Sequence, residues 1–214
     1  MTSIRKRGAF LVFEGVDRSG KSTQVKRLVE KLNNKSIDAE LLRFPDRTTA
    51  TGKIINTYLQ NGVELDDKAI HLLFSANRWE ASKTIKDKLE KGVTLIVDRY
   101  AYSGVCFTAA KPDQDIEWCK SPDVGLPKPD AVIFLDLPIE KAMERGAFGE
   151  ERYEKEDFQK KVYKNFQKLN DGWHCLNADR TVDEVADEVE QIALNTIKNL
   201  KDNRIEKLWM TKSN

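Results

Sequence analysis

A glycine-rich segment near the amino terminus contains the residues whose spacing most clearly implies chemistry. Gly15-Val-Asp-Arg-Ser-Gly20-Lys21-Ser22 matches the pattern G-x-x-x-x-G-K-[ST]. In such a loop the backbone N–H groups and the start of the next helix surround phosphates, the lysine reaches the β- and γ-oxygens, and the serine ligates Mg²⁺. The alternative is a glycine turn beside an ordinary lysine, which the flanking strand and helix patterns disfavour. The segment therefore predicts nucleotide binding but leaves the reaction open.

An acidic and a basic residue follow a later apolar run. This run, Thr94-Leu-Ile-Val, ends at Asp98, and Arg99 comes next. Because ligands of open α/β sheets gather at the carboxyl ends of the strands, we expect Asp98 to be a direct or indirect partner of Mg²⁺. A helix N-cap is the alternative role for this aspartate. A guanidinium can hold two phosphate oxygens at once, so Arg99 strengthens the phosphate interpretation.

Further arginines at predicted loop or helix positions are the next candidates for binding anions. Each of them taken alone is typical of a solvated surface. Arg47 follows a predicted strand end, and Arg78 lies on a predicted long helix one turn from Phe74. If the two arginines converge on the carboxyl edge of the sheet, a second phosphate is held opposite the first. Phe74 then offers a stacking plane for a base, although a phenylalanine on a helix more often packs in the core.

Alternating strands and helices are predicted to position these residues. Apolar runs predict five strands, at residues 9–13, 39–44, 93–97, 131–135 and 174–176. Each is followed by a helical pattern, the longest of which spans about residues 67–91. Thr181 and Glu184 have the capping-box spacing at the start of another helix. The pattern predicts an α/β fold with a five-stranded parallel sheet covered by helices on both faces.

Size and composition limit the class of protein. The 214 residues suit a single domain (1–214), and 36 Lys plus Arg against 35 Asp plus Glu give a net charge of +1. This balance supplies no field that would attract nucleic acid or a membrane, so neither is expected as a partner. Three widely spaced cysteines predict no disulfide framework, and the first apolar run is interrupted at Glu14 before it could span a bilayer. We expect a cytoplasmic protein, or one that is also nuclear.

Five segments closely resemble the eukaryotic thymidylate kinases. They are Gly15-Val-Asp-Arg-Ser-Gly-Lys-Ser-Thr-Gln24, Arg43-Phe-Pro-Asp-Arg47, His71-Leu-Leu-Phe-Ser-Ala-Asn-Arg-Trp-Glu80, Asp98-Arg-Tyr-Ala-Tyr-Ser-Gly104 and Pro122-Asp-Val-Gly-Leu-Pro-Lys-Pro-Asp130. The similarity runs from about Gly8 to at least Arg180. It implies a P-loop nucleoside monophosphate kinase fold and an ATP-dependent enzyme that transfers the γ-phosphoryl group to dTMP, giving dTDP and ADP for dTTP synthesis. It also implies Mg²⁺ as the cofactor and a homodimer.

The resemblance implies a donor site around the glycine-rich loop. Lys21, Arg18 and Arg99 would be the catalytic residues, while Ser22 and Asp98 would be the metal ligands. A mobile lid over ATP would span about residues 145–155. The implied ATP-binding residues are Gly15, Asp17, Arg18, Ser19, Gly20, Lys21, Ser22, Thr23, Arg145 and Arg180.

The resemblance also implies an acceptor site for dTMP. Phe74 would stack on thymine, Arg78 would bind a base oxygen, and Asp17 would hold the sugar 3′-hydroxyl. Arg47 and Arg99 would hold the acceptor phosphate, and Tyr153 would pack over the deoxyribose. The full implied set is Asp17, Phe44, Pro45, Arg47, Phe74, Arg78, Arg99, Ser103, Gly104, Phe107 and Tyr153.

Two other classes of protein stay open at this point. One is a different kinase with the same loop, acting on a deoxynucleoside or another monophosphate. The other is a GTP-dependent switch or scaffold, which usually carries an Asn-Lys-x-Asp motif that this sequence lacks. The apolar stripe Ala69, Leu72, Leu73, Ala76 and Trp79 of the long helix suits either a dimer interface or the core. Residues 201–214 receive no predicted role.

Overall fold

A parallel β-sheet forms the centre of the computed structural model, which describes residues 6–145, 151–200 and 204–210. Its strands lie in the order β2-β3-β1-β4-β5, and every pair of neighbours is parallel. The predicted α/β class and the predicted strand count are both confirmed. The strand bounds are β1 Phe10–Glu14, β2 Ala39–Arg43, β3 Thr94–Asp98, β4 Ala131–Asp136 and β5 His174–Asn177.

Eight α-helices lie between or after the strands in this part of the chain. They are α1 Lys21–Asn34, α2 Ala50–Leu59, α3 Asp67–Glu90, α4 Ala101–Thr108, α5 Ile116–Lys120, α6 Ile139–Glu144, α7 Glu156–Leu169 and α8 Val182–Lys198. A 3₁₀ turn, Ser121–Asp123, follows α5. Among the described residues no helix combines the length and apolar character needed to cross a membrane.

Apolar side chains cover both faces of the sheet, which is why the strands read as nearly continuous hydrophobic runs. Leu11 and Phe13 of β1 pack in a cluster that includes side chains of α1 and α8. Phe10 and Val12 point to the opposite face, where the cluster includes side chains of α3, α4 and α7. The alternation follows from the two-residue period of a strand. The prediction that helices cover both faces is confirmed.

The long helix α3 buries polar residues as well as apolar ones. Of the predicted apolar stripe, Leu72 is 49% exposed and Trp79 is 41% exposed. The buried positions include Ile70, Ser75 and Arg78. The core therefore explains only part of the stripe, since Leu73 packs against the cluster that contains Ile70. The buried polar residues Ser75 and Arg78 have Asp123 as their partner.

The start of α8 follows the predicted capping box. The Thr181 hydroxyl accepts a hydrogen bond from the backbone N–H of Glu184 at 3.3 Å, and the Glu184 carboxylate accepts one from the backbone N–H of Thr181 at 3.0 Å. Two N–H groups that would otherwise lack partners at the helix start are satisfied in this way.

We expect Thr181→Ala to lower the free energy of unfolding by about 1 kcal/mol, because it removes the side-chain cap. Chemical denaturation monitored by circular dichroism measures the change. Thr196→Ala is the matched control, since Thr196 lies inside the same helix and its hydroxyl donates only to the Ile192 carbonyl. Equal effects of the two substitutions would show that the cap contributes nothing.

Candidate active site

A cavity of about 1290 Å³ opens at the carboxyl edge of the sheet. All of the predicted site residues except Gly15 line it, which brings the implied donor and acceptor residues into one space. The lining members of the predicted set are Asp17, Arg18, Ser19, Gly20, Lys21, Ser22, Thr23, Phe44, Pro45, Arg47, Phe74, Arg78, Asp98, Arg99, Ser103, Gly104, Phe107, Arg145, Tyr153 and Arg180.

The glycine-rich loop joins β1 to α1 by a backbone path that depends on glycine. Gly15 has a φ of 145°, and a Cβ at this position would lie 2.8 Å from both the Leu135 carbonyl oxygen and the Ser19 hydroxyl. Gly20 adopts a left-handed conformation at the N-cap of α1. The helix therefore begins at Lys21 with its first N–H groups facing the loop, an arrangement that suits phosphate.

Lys21 is buried at the base of this loop, with 5% of its surface exposed. Its ammonium group donates to the Val16 carbonyl at 2.6 Å and to the Ser19 hydroxyl at 3.2 Å. Burial, and after it the neighbouring charge of Arg99, lowers the pKa of Lys21 to about 7. An anion placed in the loop would stabilise the charged form of this buried ammonium group.

Two oxygen groups meet beside Lys21, one from α1 and one from the end of β3. The Ser22 hydroxyl donates to the Asp98 carboxylate over 2.5 Å. The same carboxylate oxygen accepts from Nε of Arg43, at 3.1 Å. The register explains the meeting, because Arg43 and Phe13 each pair with Asp98 on the neighbouring strands.

Arg99 connects the glycine-rich loop to helix α4. Its guanidinium forms an ion pair with Asp17 and donates to the Gly15 carbonyl at 3.1 Å and to the Ser103 hydroxyl at 2.9 Å. It also lies 5.1 Å from the centre of the Phe107 ring. The side chain is thus held at the edge of the cavity by groups from two elements.

Glu14 lies beneath this region and is fully buried. Its carboxylate accepts hydrogen bonds from the backbone N–H groups of Tyr100 and Ser103, at 2.9 and 3.1 Å, and from the Ser103 hydroxyl at 2.5 Å. Burial raises the pKa of Glu14. The contacts fix the first turn of α4, so that Ser103 and Gly104 border the cavity.

Arg78 lies at another wall of the cavity and is almost completely buried, with 2% exposed. Its Nε and Nη2 groups donate to the two carboxylate oxygens of Asp123, at 3.1 and 2.6 Å. A Cβ on Gly104 would lie 2.7 Å from Nη2 of Arg78, so the glycine provides the space that the guanidinium occupies. Phe74, one turn earlier on α3, also lines the cavity.

The ring of Tyr153 and the carboxylate of Glu151 border the cavity. The Tyr153 ring lies 5.6 Å from that of Phe107. Arg47 pairs with Glu151 at 2.8 Å, and Arg18 pairs with Glu154 at 3.2 Å. The predicted lid, about residues 145–155, is described only at its two ends, because residues 146–150 lie outside the described residues.

The two predicted ATP-binding residues outside the glycine-rich segment, Arg145 and Arg180, lie on the β5 side of the loop. Arg145 donates to the carbonyls of Arg18 and Ala178, at 3.0 and 3.2 Å. Arg180 donates to the Asn177 carbonyl at 3.0 Å and pairs with Glu188 at 2.5 Å. On the opposite flank Phe44 packs with its ring centre 5.7 Å from that of Tyr100.

Four functional residues were not assigned from sequence, and each supports a residue that was. Asp123 holds Arg78, Glu14 holds the start of α4, and Arg43 holds Asp98. Gln159 of α7 holds Asp17, since its amide donates to the Asp17 carboxylate at 2.6 Å and accepts from the Asp17 N–H at 3.0 Å. Asp123 and Arg43 lie inside segments that resemble the eukaryotic thymidylate kinases. The only sequence signal for Glu14 is that an acidic residue directly follows an apolar run.

Comparisons with known proteins all match one family. The family model for thymidylate kinase matches residues 13–189. The thymidylate kinase of Homo sapiens is 48% identical over 208 residues, which cover 95% of this chain and 98% of that protein. The one of Arabidopsis thaliana is 50% identical over 210 residues, covering 97% of this chain and 80% of the relative.

A solved structure of the thymidylate kinase from Candida albicans superimposes with a TM-score of 0.86. It is 42% identical, and the match covers 94% of this chain and 98% of the other. Both the sequence and the shape therefore agree over nearly the whole chain, and the chain belongs to the thymidylate kinase family.

Proposed function

We propose that this chain transfers the γ-phosphoryl group of ATP to dTMP and releases dTDP and ADP. The observation that carries the proposal is the position of Arg99 between two binding regions of one cavity. It contacts the glycine-rich loop through Gly15 and Asp17, and it contacts Ser103, whose neighbour Gly104 adjoins Arg78. A nucleotide phosphate in the loop and a base near Arg78 would bring two phosphates together beside Arg99.

The donor phosphates would occupy the glycine-rich loop. The N–H groups at the start of α1 and the ammonium group of Lys21 face this space, and both favour an anion. A bound phosphate would also favour the protonated form of Lys21, since a nearby opposite charge counteracts the effect of burial on its pKa. Arg145 and Arg180 would then border the adenine.

Ser22 and Asp98 are the residues that would hold Mg²⁺. A hydroxyl and a carboxylate are the hard oxygen ligands that this ion takes in proteins, usually together with substrate phosphates. When bound, the ion would neutralise charge on the β- and γ-oxygens. Arg43 keeps the Asp98 carboxylate turned toward Ser22 by a hydrogen bond to the same oxygen.

The reaction needs little from the protein beyond position and charge. A phosphate monoester has a second pKa near 6, so at neutral pH the acceptor oxygen is mostly ionised and requires no general base. Arg47 and Arg99 would hold this phosphate, while Arg18 and Lys21 would stabilise the charge that develops during transfer. The substrate phosphates would replace the carboxylates of Glu154 and Glu151 as partners of Arg18 and Arg47.

The acceptor base would lie between Phe74 and Arg78. Asp123 occupies Nε and Nη2 of Arg78, so Nη1 is the donor group directed away from that carboxylate. It suits an acceptor oxygen of thymine, and the Phe74 ring would stack on the base. Tyr153 would pack over the deoxyribose. Residues 145–155 would form a lid over ATP, and residues 1–214 would make up a single domain.

The predicted preference is for dTMP over dCMP. Arg78 requires an acceptor oxygen where cytosine presents an amine, and unpaired polar groups in a buried site are strongly penalised. Rejection of dUMP is expected to be weaker, because one methyl group is worth about 1–3 kcal/mol. Values of kcat/KM for the three nucleotides test this, and equal values for dTMP and dCMP would contradict the role of Arg78.

Gly104→Ala tests the cause of that preference in the same assay. Its methyl group would crowd the Arg78 guanidinium, so the ratio of kcat/KM for dTMP to that for dCMP should fall. Gly62→Ala is the control, because Gly62 lies outside the cavity and the atom nearest to a Cβ at this position would be a Thr57 side-chain carbon. An unchanged ratio in Gly104→Ala would contradict the role of Arg78 in recognising the base.

Arg18→Ala should lower kcat by about 10³-fold with little change in KM, because a guanidinium beside a transferring phosphoryl group acts mainly in the transition state. Steady-state kinetics at two ionic strengths measure the effect. Arg27→Ala, at a surface pair with Asp183, is the control. An unchanged kcat with a raised, salt-sensitive KM for ATP would mean that Arg18 only attracts the nucleotide.

We further propose that the chain forms a homodimer through the exposed stripe of α3. Leu72 and Trp79 are large apolar side chains left in water, and Val124 is a third one, beside Gly125, which adjoins the Trp79 ring. A twofold axis would cover the same patch on both copies, as in most homodimers.

Leu72→Glu should convert the dimer to a monomer, because it places a charge in an apolar interface. Sedimentation velocity at several protein concentrations measures the change. Met143→Glu is the control, since Met143 is an exposed apolar residue on α6. A Leu72→Glu protein that sediments like the unmodified chain would exclude this surface.

A further inference from the structure

The segment of residues 204–210 lies outside the cavity, yet it pairs with the loop before β4. Lys207 forms an antiparallel bridge with Pro127. Backbone hydrogen bonds join Gly125 N to Leu208 O at 2.9 Å, Leu208 N to Leu126 O at 2.8 Å, and Lys128 N to Glu206 O at 2.9 Å. We call this segment the C-terminal strap. It supplies partners to three backbone groups of the loop.

Leu208 and Trp209 anchor the strap together with Ile205, which packs against the same core cluster. Leu208 is buried in the same core cluster as Leu126 and the face of the sheet that holds Phe10. The Trp209 ring meets the edge of Tyr102 with ring centres 5.7 Å apart, nearly at right angles. The next residue, Met210, is 52% exposed and provides an unanchored comparison.

The loop braced by the strap carries the partner of Arg78. Leu126 accepts a hydrogen bond from the strap and its N–H donates to the Asp123 carbonyl at 3.2 Å, so a single residue links the strap to the carboxylate that is buried against Arg78. The Ser75 hydroxyl also donates to Asp123, at 2.7 Å, which ties the loop to α3. A shift of the loop would therefore move the carboxylate that orients the guanidinium.

The second anchor reaches the cavity by a different element. Tyr102 lies on α4, directly before Ser103 and Gly104, and both of these line the cavity. Tyr102 itself does not line the cavity, so Trp209 contacts α4 outside the cavity. The strap thus contacts both elements that enclose the Arg78 guanidinium, namely the Asp123 loop and α4.

We propose that the strap positions the acceptor pocket, with Leu208 acting as a positioning residue for the Asp123 loop and Trp209 for α4, and both through these elements for Arg78. The inference rests on the proposed role of Arg78 in reading the acceptor base. A purely structural strap would instead affect stability and both substrates alike, because β1, which carries the glycine-rich loop, packs through Phe10 and Val12 in the same cluster as Leu208.

Kinetics of Leu208→Ala and Trp209→Ala, with Met210→Ala as the matched control, test the proposal. We expect KM for dTMP to rise about fivefold, a typical size for a contact that acts at a distance, while KM for ATP stays within about twofold. The preference for dTMP over dCMP should fall in parallel. Unchanged KM for dTMP, or equal changes for both substrates, would overturn the proposal.

A double-mutant cycle with Asp123→Asn tests the route of the effect. If the strap acts through Asp123, adding Leu208→Ala to Asp123→Asn should raise KM for dTMP much less than it does in the unmodified chain. Fully additive effects would mean that the strap does not act through this carboxylate.

Hydrogen exchange provides a readout that needs no turnover. The amides of Gly125 and Lys128 should exchange faster in Leu208→Ala and Trp209→Ala than in Met210→Ala, because they donate to the strap. Unaltered protection would overturn the bracing itself. Failure of the unmodified chain to phosphorylate dTMP would count against the proposed function alone, since the exchange experiment still judges the bracing.

Discussion

The register between β1 and β3 is the constraint on which the site depends. Phe13 pairs with Asp98, so the glycine-rich loop that follows β1 and the Asp98-Arg99 pair that ends β3 leave the sheet side by side. Ser22 then reaches Asp98, and Arg99 reaches Gly15 and Asp17. A slip of one residue would turn each side chain of β3 to the other face and separate these groups.

Buried charge is the second organising feature, and each charged group in the site has a defined partner. Removing a charge from water is costly unless geometry and hydrogen bonds compensate, so such pairs contribute more to position than to stability. Arg78 with Asp123 illustrates this, because both are buried and the pairing fixes the plane of the guanidinium. Lys21 has carbonyl and hydroxyl groups as its hydrogen-bond partners, and burial lowers its pKa to about 7.

The sequence was most informative where function depends on neighbouring residues. The loop from Gly15 to Ser22, the strand that ends at Asp98 and the Thr181 capping box are local patterns with physical causes. Asp123, Glu14 and Gln159 act on residues distant in the chain, and no local spacing reports such contacts. The faces of α3 were ambiguous for a related reason, because its buried polar residues are satisfied by partners from other elements, which periodicity cannot show.

The strand order also has a consequence for how the chain acquires its site. β1 has no neighbour among the strands close to it in sequence, since Phe10 pairs with Leu95 and Leu11 with Ala131. The strand that carries the glycine-rich loop is therefore enclosed only by long-range pairing, which is slow because loop closure precedes the contacts that reward it. During synthesis from the amino terminus, β1 and α1 emerge long before β3 and β4, the strands that pair with β1. β1 is buried along its whole length in the folded chain, so its apolar side chains stay exposed until those strands have been made.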